Sequence, residues 1–336
     1  MSLVADMGID LGTAHTLIYV KGKGVLLDEP SVVATSQDGK EILAIGTEAR
    51  NMIGRNPGNI RVIKPLKDGV IAHFDATKKM LRHFIIKAGG NKSFFRRRVI
   101  VSVPSGITNV EKHAVIDATL NAGAKEAYLI VEPVAAAIGA GLPVQEPIGN
   151  MIMNIGSGTT EVAIVSLGGL VVSKSIRLGG DEMDEAIIRH LRREYNFMVG
   201  ERTAEQVKIQ IGAAYPIPEE KMNIRGRDLS TGLPKLLEIS AQEIHHALQE
   251  PIREIVGAAR SVLEETPPDL VSDIIERGLV MTGGGSLLRG FPTLLAEKLG
   301  IPVIVADQPL LATAYGAGLA LEDLDALKKL LFTKTH

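Results

Sequence analysis

The sequence predicts an α/β fold made of two related halves with a cleft between them, and three observations carry that expectation. Apolar runs of strand length alternate with helical runs, the pattern of sheets covered on both faces. A strand, a polar glycine turn and a second strand begin at Gly8, and the same grammar returns from Asn150. Glycine is in excess, 35 of 336 residues, while tryptophan is absent and 4% of residues are aromatic, so the core must be aliphatic and the turns tight.

The first half opens with a strand Gly8-Ile9-Asp10, a turn at Leu11-Gly12-Thr13 and a strand over Thr16 to Val20. A third strand over Gly24 to Leu27 completes a meander. In the second half Met151-Ile152-Met153-Asn154 leads through Gly156-Ser157-Gly158 into Glu161 to Val165, with another strand after Gly168-Gly169. Laying Gly12 on Gly156 sets Asp10 on Asn154 and Thr13 on Ser157, an offset of 144 residues that reads as an internal duplication. Between the two openings a strand is expected over Arg98 to Val103, then a helix over Thr108 to Ala122 whose Thr108-x-x-Glu111 fits a capping box. A strand over Tyr128 to Val131 precedes a helix begun at Pro133, a residue tolerated in a first turn. Helices are expected over Asp184 to Met198, around Ala204 to Ile211, and over Ser240 to Glu265, the last kinked or interrupted by Pro251. Lys221 to Lys235 reads as a hairpin of a smaller appended unit, and leucines from Leu321 to Leu331 mark an amphipathic C-terminal helix.

Composition removes several functional classes. A formal charge of −2, from 37 basic and 39 acidic residues, argues against bulk nucleic-acid binding. Without cysteine there is no disulfide, thiolate metal site or cysteine nucleophile, and a reducing compartment fits. No apolar run reaches the ~18 residues of a spanning helix, and no secretory signal is expected. The eight histidines form no metal-binding motif.

The chemistry points to phosphate. Asp10-Leu11-Gly12-Thr13, Asn154-Ile155-Gly156-Ser157-Gly158-Thr159-Thr160 and Thr282-Gly283-Gly284-Gly285-Ser286 each place glycine and hydroxyl residues at a strand end. Phosphate needs converging N–H donors with no Cβ in the way, which such turns supply. A P-loop motif is absent, and the dinucleotide fingerprint fails because the first two turns lead into strands rather than helices. What remains is a nucleotide held in a cleft between two α/β halves. Asp10 is the carboxylate best placed for Mg²⁺, which leans on one or two carboxylates and keeps its waters. Asn154, its counterpart, can orient a metal-bound water without adding charge. Glu132 stands at a strand end like a base that orients water, or caps the helix that follows. Asp181 and Glu182 head a helix after Gly179-Gly180, and Glu205 and Lys208 share a helical face, as a surface pair or as ribose contacts. His15 lies two residues beyond Thr13, either where its charge state can alter phosphate affinity or as an edge-of-turn histidine with no such role. The run Ser93-Phe94-Phe95-Arg96-Arg97-Arg98 fits a solvated charged loop or one that touches a membrane.

Taken in order, these segments resemble the MreB/Mbl family of bacterial actin homologues, within the superfamily of actin, Hsp70 and sugar kinases. The resemblance is carried by Gly8-Ile9-Asp10-Leu11-Gly12-Thr13-Ala14, Glu29-Pro30-Ser31-Val32-Val33, Glu132-Pro133-x-Ala135-Ala136-Ala137-Ile138-Gly139, Gly179 to Asp184, Gly200 to Glu205 and Thr282 to Ser286, across essentially the whole chain. It implies an actin-like, ribonuclease H-like duplicated fold divided in four. The first large subdomain would take residues 1–32, 66–139 and 310–336, with a small one over 33–65. The second would take 140–183 and 249–309, with a small one over 184–248.

The resemblance also implies ATP or ADP with Mg²⁺, slow hydrolysis, and protofilaments of the chain's own copies paired in antiparallel fashion. Its expected place is cytoplasmic, on the inner face of the cell membrane, with cell-wall synthesis proteins as partners and a role in rod shape. Carried onto this chain, Gly12, Thr13 and Ala14 fall in the first phosphate loop, and Gly156, Ser157, Gly158 and Thr159 in the second. Asp181 falls beside the nucleotide, Glu205 and Lys208 on the ribose and base side, and Gly284, Gly285 and Ser286 in the last nucleotide-contacting turn. Asp10 becomes the Mg²⁺-associated carboxylate acting through water, with Asn154 a weakened counterpart. Glu132 becomes the residue positioning the attacking water, and Phe94 and Phe95 fall in a membrane loop. The family's second loop usually reads Asp-Ile-Gly-Gly-Gly-Thr-Thr, so Asn154 and Ser157 are departures expected to weaken hydrolysis. A soluble ATP-dependent small-molecule kinase of the same fold is the enzyme alternative.

Overall fold

A computed structural model describes residues 6–89, 97–216, 219–322, 324 and 331–333. Phe94 and Phe95 lie outside the described residues, as does most of the expected C-terminal leucine helix. Two mixed sheets dominate. The first runs, edge to edge, Phe332–Thr333, Glu126–Val131, Arg98–Val103, Met7–Leu11, His15–Val20 and Gly24–Pro30. The second runs Val303–Val305, Leu279–Thr282, Asn150–Ile155, Thr160–Ser166 and Gly169–Ile176.

Apart from the added Phe332–Thr333 edge, the two sheets have the same strand order, and their opening hairpins share one register. Ile9 pairs with Ile18 and Asp10 with Leu17 in the first, and Met153 pairs with Val162 and Asn154 with Glu161 in the second. Each of these pairs is its counterpart displaced by 144 residues. The duplication read from glycine turns is thus a duplication of hydrogen-bonded strands.

Between the sheets lie the helices Glu132–Gly139 and Ala312–Glu322, with an aliphatic cluster that includes Ile100, Ile130, Ile152 and Ala163. Gly139 and Gly316 allow their backbones to touch, since a Cβ on Gly316 would collide with the Ala135 carbonyl oxygen. Smaller sheets are appended to both halves. Ile42–Ile45, Val33–Ser36 and Ile60–Ile63 form one, and Phe197–Met198, Lys221–Asp228 and Pro234–Ser240 form the other.

Several expected boundaries move for local reasons. The long helix from Ser240 is two helices, Ala241–Ala247 and Gln249–Glu265, with Pro251 in the first turn of the second, where its missing N–H is harmless. Asn196, in the left-handed region at φ 48°, ends Gly180–Tyr195 early and frees Phe197–Met198 to pair as a strand. The Thr108 capping box is present, with Glu111 accepting from the Thr108 N–H at 2.8 Å.

Candidate functional site

The three glycine turns and the head of one helix converge at the facing ends of the two sheets. In the first turn Ser31 supports the loop, donating from its hydroxyl to the Gly12 carbonyl at 2.7 Å and from its N–H to the Ala14 carbonyl at 2.8 Å. A Cβ on Gly12 would stand 2.7 Å from the His15 carbonyl oxygen, so the tight bend requires glycine. In the second turn the Gly156 N–H donates to the Thr159 carbonyl at 2.9 Å, closing the loop on itself.

The two loops face each other. A Cβ on Gly158 would lie 2.7 Å from the Thr13 hydroxyl and 3.2 Å from the Asp68 backbone, and Thr13 itself accepts from the Gly69 N–H at 3.0 Å. Asp68 and Gly69 form the two-residue turn between Leu66–Lys67 and Val70–Ile71, both at positive φ, 50° and 76°. This Asp-Gly hairpin tip is wedged between the two loops, a contribution the motif reading did not include. The adjacent Asp68 and Gly69, a dipeptide that favours tight hairpin turns, were its only sequence signal.

Gly180 and Asp181 donate from their N–H groups to the carbonyls of Gly156 and Ser157 at 3.0 and 2.8 Å, docking the head of Gly180–Tyr195 on the second loop. A Cβ on Gly179 would lie 2.6 Å from both of those oxygens. The helix N-terminus thereby adds its positive end to the cleft. Lys208 locks this head, donating to the Gly180 carbonyl at 2.8 Å and pairing with Asp184 at 2.8 Å. Burial lifts Asp181 above the usual carboxylate range and Asp184 to about 6, with Lys208 opposing the rise in both. The third turn seats on the end of Asn150–Ile155: Cβ atoms on Gly283 or Gly285 would strike Ile155, and Ser286 donates to the Gly283 carbonyl at 2.6 Å. Gly284 begins the short 3₁₀ turn Gly284–Leu287.

At the cleft floor stand acidic groups from both halves. Asp10 accepts from the Ser102 hydroxyl at 2.9 Å, and burial pushes it up to about 6. Glu132 begins Glu132–Gly139 and is buried; desolvation, then the charges of Glu161 and Asp10, hold it well above the usual carboxylate range. Asn154 accepts from the Thr282 hydroxyl at 3.1 Å. Glu161, fully buried, is the carboxylate that the sequence reading passed over, because it looked like one residue of a strand.

Glu205 and Lys208 share their helix but take separate partners, Glu205 pairing with Arg50 at 2.8 Å. His15 joins the same chain: its Nδ1 lies 2.7 Å from Asp28 and its Nε2 3.4 Å from Arg50. Lys64 and Glu201 pair at 2.6 Å, so two ion pairs cross the mouth of the cleft from the small sheet to Glu201–Ile211. A cavity of about 660 Å³ opens there, lined by Gln37, Arg61, Lys64 and Glu201.

Among the described residues no group of three or more His, Cys, Asp or Glu could hold a metal. The Asp10 carboxylate and the Asn154 amide are oxygen donors of the kind that a largely hydrated Mg²⁺ accepts. Among the same residues no helix is long and apolar enough to cross a membrane.

Duplicated sheets, an interlocked pair of phosphate-type loops and a carboxylate floor define a two-lobed nucleotide-cleft protein of the actin-like fold. Solved structures agree: the chain superimposes on MreB5 of Spiroplasma citri bound to AMPPNP with a TM-score of 0.92, at 34% identity, covering 98% of this chain and 99% of that one. The double helical filament protein MamK shares the fold at a TM-score of 0.81 and 22% identity, over 95% of this chain and 98% of that one. The family model for MreB/Mbl protein matches residues 4–329, and the chain belongs to the MreB/Mbl family. It is 54% identical to the cell shape-determining protein MreB of Escherichia coli strain K12, over 95% of this chain and 94% of that one. It is 49% identical to the cell shape-determining protein Mbl of Bacillus subtilis strain 168, over 96% and 98%.

Proposed function

We infer that this chain binds ATP in the cleft, assembles into filaments and directs rod cell shape from beneath the cytoplasmic membrane. The observation that carries the reading is the contact of the two glycine loops through Gly158 and Thr13, which would let donors from both halves reach one phosphate chain. Relatives named for cell shape and a solved relative bound to AMPPNP support it. Nothing in the cleft favours the kinase alternative, and membership of this family speaks for assembly instead.

In this reading Gly12, Thr13, Ala14, Gly156, Ser157, Gly158 and Thr159 surround the phosphates, and Gly284, Gly285 and Ser286 close the site. Asp181 lies beside the nucleotide, while Glu205 and Lys208 serve the ribose and base side. Mg²⁺, when bound, offsets phosphate charge, with Asp10 and Asn154 placed to hold its waters. Glu132 orients the water that attacks the terminal phosphate. Asn154 and Ser157 slow that step by removing a charge and adding a Cβ. The division into four subdomains, the antiparallel pairing of protofilaments and contact with cell-wall synthesis proteins belong to the same proposal.

The test is assembly on anionic liposomes with ATP, with ADP and without nucleotide, followed by sedimentation and electron microscopy. Filaments that require nucleotide are expected on the membrane. Absence of filaments in every condition, with ATP bound, would refute the polymer reading. Liposome binding that survives Phe94→Ser with Phe95→Ser would refute the membrane loop.

A further inference from the structure

We propose that Glu161 is a positioning residue that pins the two halves together under the cleft and so holds Glu132 in place. The pinning rests on geometry alone; its link to catalysis rests on the ATP reading above. Glu161 lies on Thr160–Ser166 in the second sheet. Its Oε2 accepts the Ser105 N–H at 3.1 Å and also the Ser105 hydroxyl, while its Oε1 accepts the Ser175 hydroxyl. Ser105 follows Arg98–Val103 of the first sheet, and Ser175 lies on Gly169–Ile176, the edge of the second. One carboxylate therefore carries bonds from both sheets. Gly106, next to Ser105, also borders Ser175: a Cβ on Gly106 would stand in ordinary contact, 3.4 Å from the Ser175 Cβ.

The duplication supplies an internal control. Where the second half has Glu161, the first has Leu17 at the matching register position, also buried. The hairpin closes around a hydrocarbon there, so its own folding does not require a carboxylate. A buried carboxylate is costly to desolvate and persists only where its lone pairs are filled, here by donors of both sheets. Glu161 is paired in register with Asn154, so both side chains leave the same face of the sheet. Asn154 is in turn a hydrogen-bond partner of the Glu132 carboxyl, so the strand pair anchored by Glu161 reaches Glu132 through an adjacent side chain.

The absence of cysteine makes the test direct. Cysteines replacing the exposed residues Glu48 and Gln210 carry spin labels on opposite sides of the cleft, and pulsed dipolar spectroscopy reads their separation. The distance distribution should widen about twofold in Glu161→Ala. It should return to the native width in Glu161→Gln, which keeps an acceptor for the Ser105 N–H and can donate to Ser175. Phosphate release should fall about tenfold in Glu161→Ala with ATP affinity within about threefold, and Glu161→Gln should recover most of the loss. An unchanged distance distribution in Glu161→Ala overturns the proposal, as does a Glu161→Gln protein as broad as Glu161→Ala. Should Glu161→Ala fail to fold, Ser105→Ala, which removes the hydroxyl bond that reaches Glu161 from the first half, must broaden the distribution, and its failure to do so overturns the proposal equally. Native protein that does not bind ATP would sink the nucleotide reading while leaving the distance measurement valid.

Discussion

The two opening hairpins have the same register and opposite electrostatics. In the first, a carboxylate on the inner strand, Asp10, sits beside an apolar Leu17; in the second, an amide, Asn154, sits beside a buried carboxylate, Glu161. Backbone geometry survived the duplication while the charge moved across by one strand. What a duplicated fold fixes is therefore where side chains stand, and what it leaves free is which of them carries charge.

The largest test of this contrast removes the charge of the first hairpin. Asp10→Asn is expected to lower phosphate release by a factor on the order of 10² to 10³, measured in single turnover with Mg²⁺. The same variant carries a stability signature of known sign. Because the folded pKa of Asp10 is raised from 3.8 to about 6, the native state holds more protons than the unfolded one between those values, and stability falls as pH rises through that window. Above pH 6 the nucleotide-free variant should be more stable than native protein by about 1–3 kcal/mol, a gap that closes towards pH 4. Denaturation curves in which the gap grows on acidification would refute the assignment.

Restoring symmetry should act more gently. Asn154→Asp is expected to raise phosphate release about tenfold at neutral pH; equal turnover in both proteins would show that the second hairpin has no missing charge to regain. Loop contacts come next. Gly158→Ala drives a Cβ to 2.7 Å from the Thr13 hydroxyl and should weaken ATP binding about tenfold, whereas Gly156→Ala, at 3.4 Å from the Thr159 carbonyl, should cost about twofold or less by titration. The smallest effect belongs to the cleft mouth: Arg50→Ala removes a half-exposed pair and should lower stability by less than about 1 kcal/mol, vanishing at high salt.

Much of this was legible in the chain. The turns at Gly12, Gly156 and Gly283 announced themselves because a strand end that needs close backbone approach admits only glycine, and a repeat of such turns marks a repeat of strands. Asp10 and Glu132 stood out because each is a lone carboxylate at a strand end. Glu161, Ser102, Ser105 and Arg50 were not legible. Their importance comes from partners far away in sequence, 92 residues between Ser102 and Asp10 and 155 between Arg50 and Glu205. No local spacing encodes such a meeting. The Asp68-Gly69 dipeptide carries a turn signal that the motif reading did not use, and its place between two loops is decided by how the two-stranded sheet folds back.

That hairpin has a mechanical consequence. It is joined by two residues, Ala72 and His73, to the helix Phe74–Gly89, and the join is stiffened by their N–H groups donating to the Pro65 carbonyl at 2.9 and 3.0 Å. Sixteen helical residues make a rod about 24 Å long. A tilt of about 5° at the phosphate end moves the far end by about 2 Å, just ahead of the sequence run that contains Phe94 and Phe95. A rod of that length would turn a small rotation at its hairpin end into a larger displacement at Gly89.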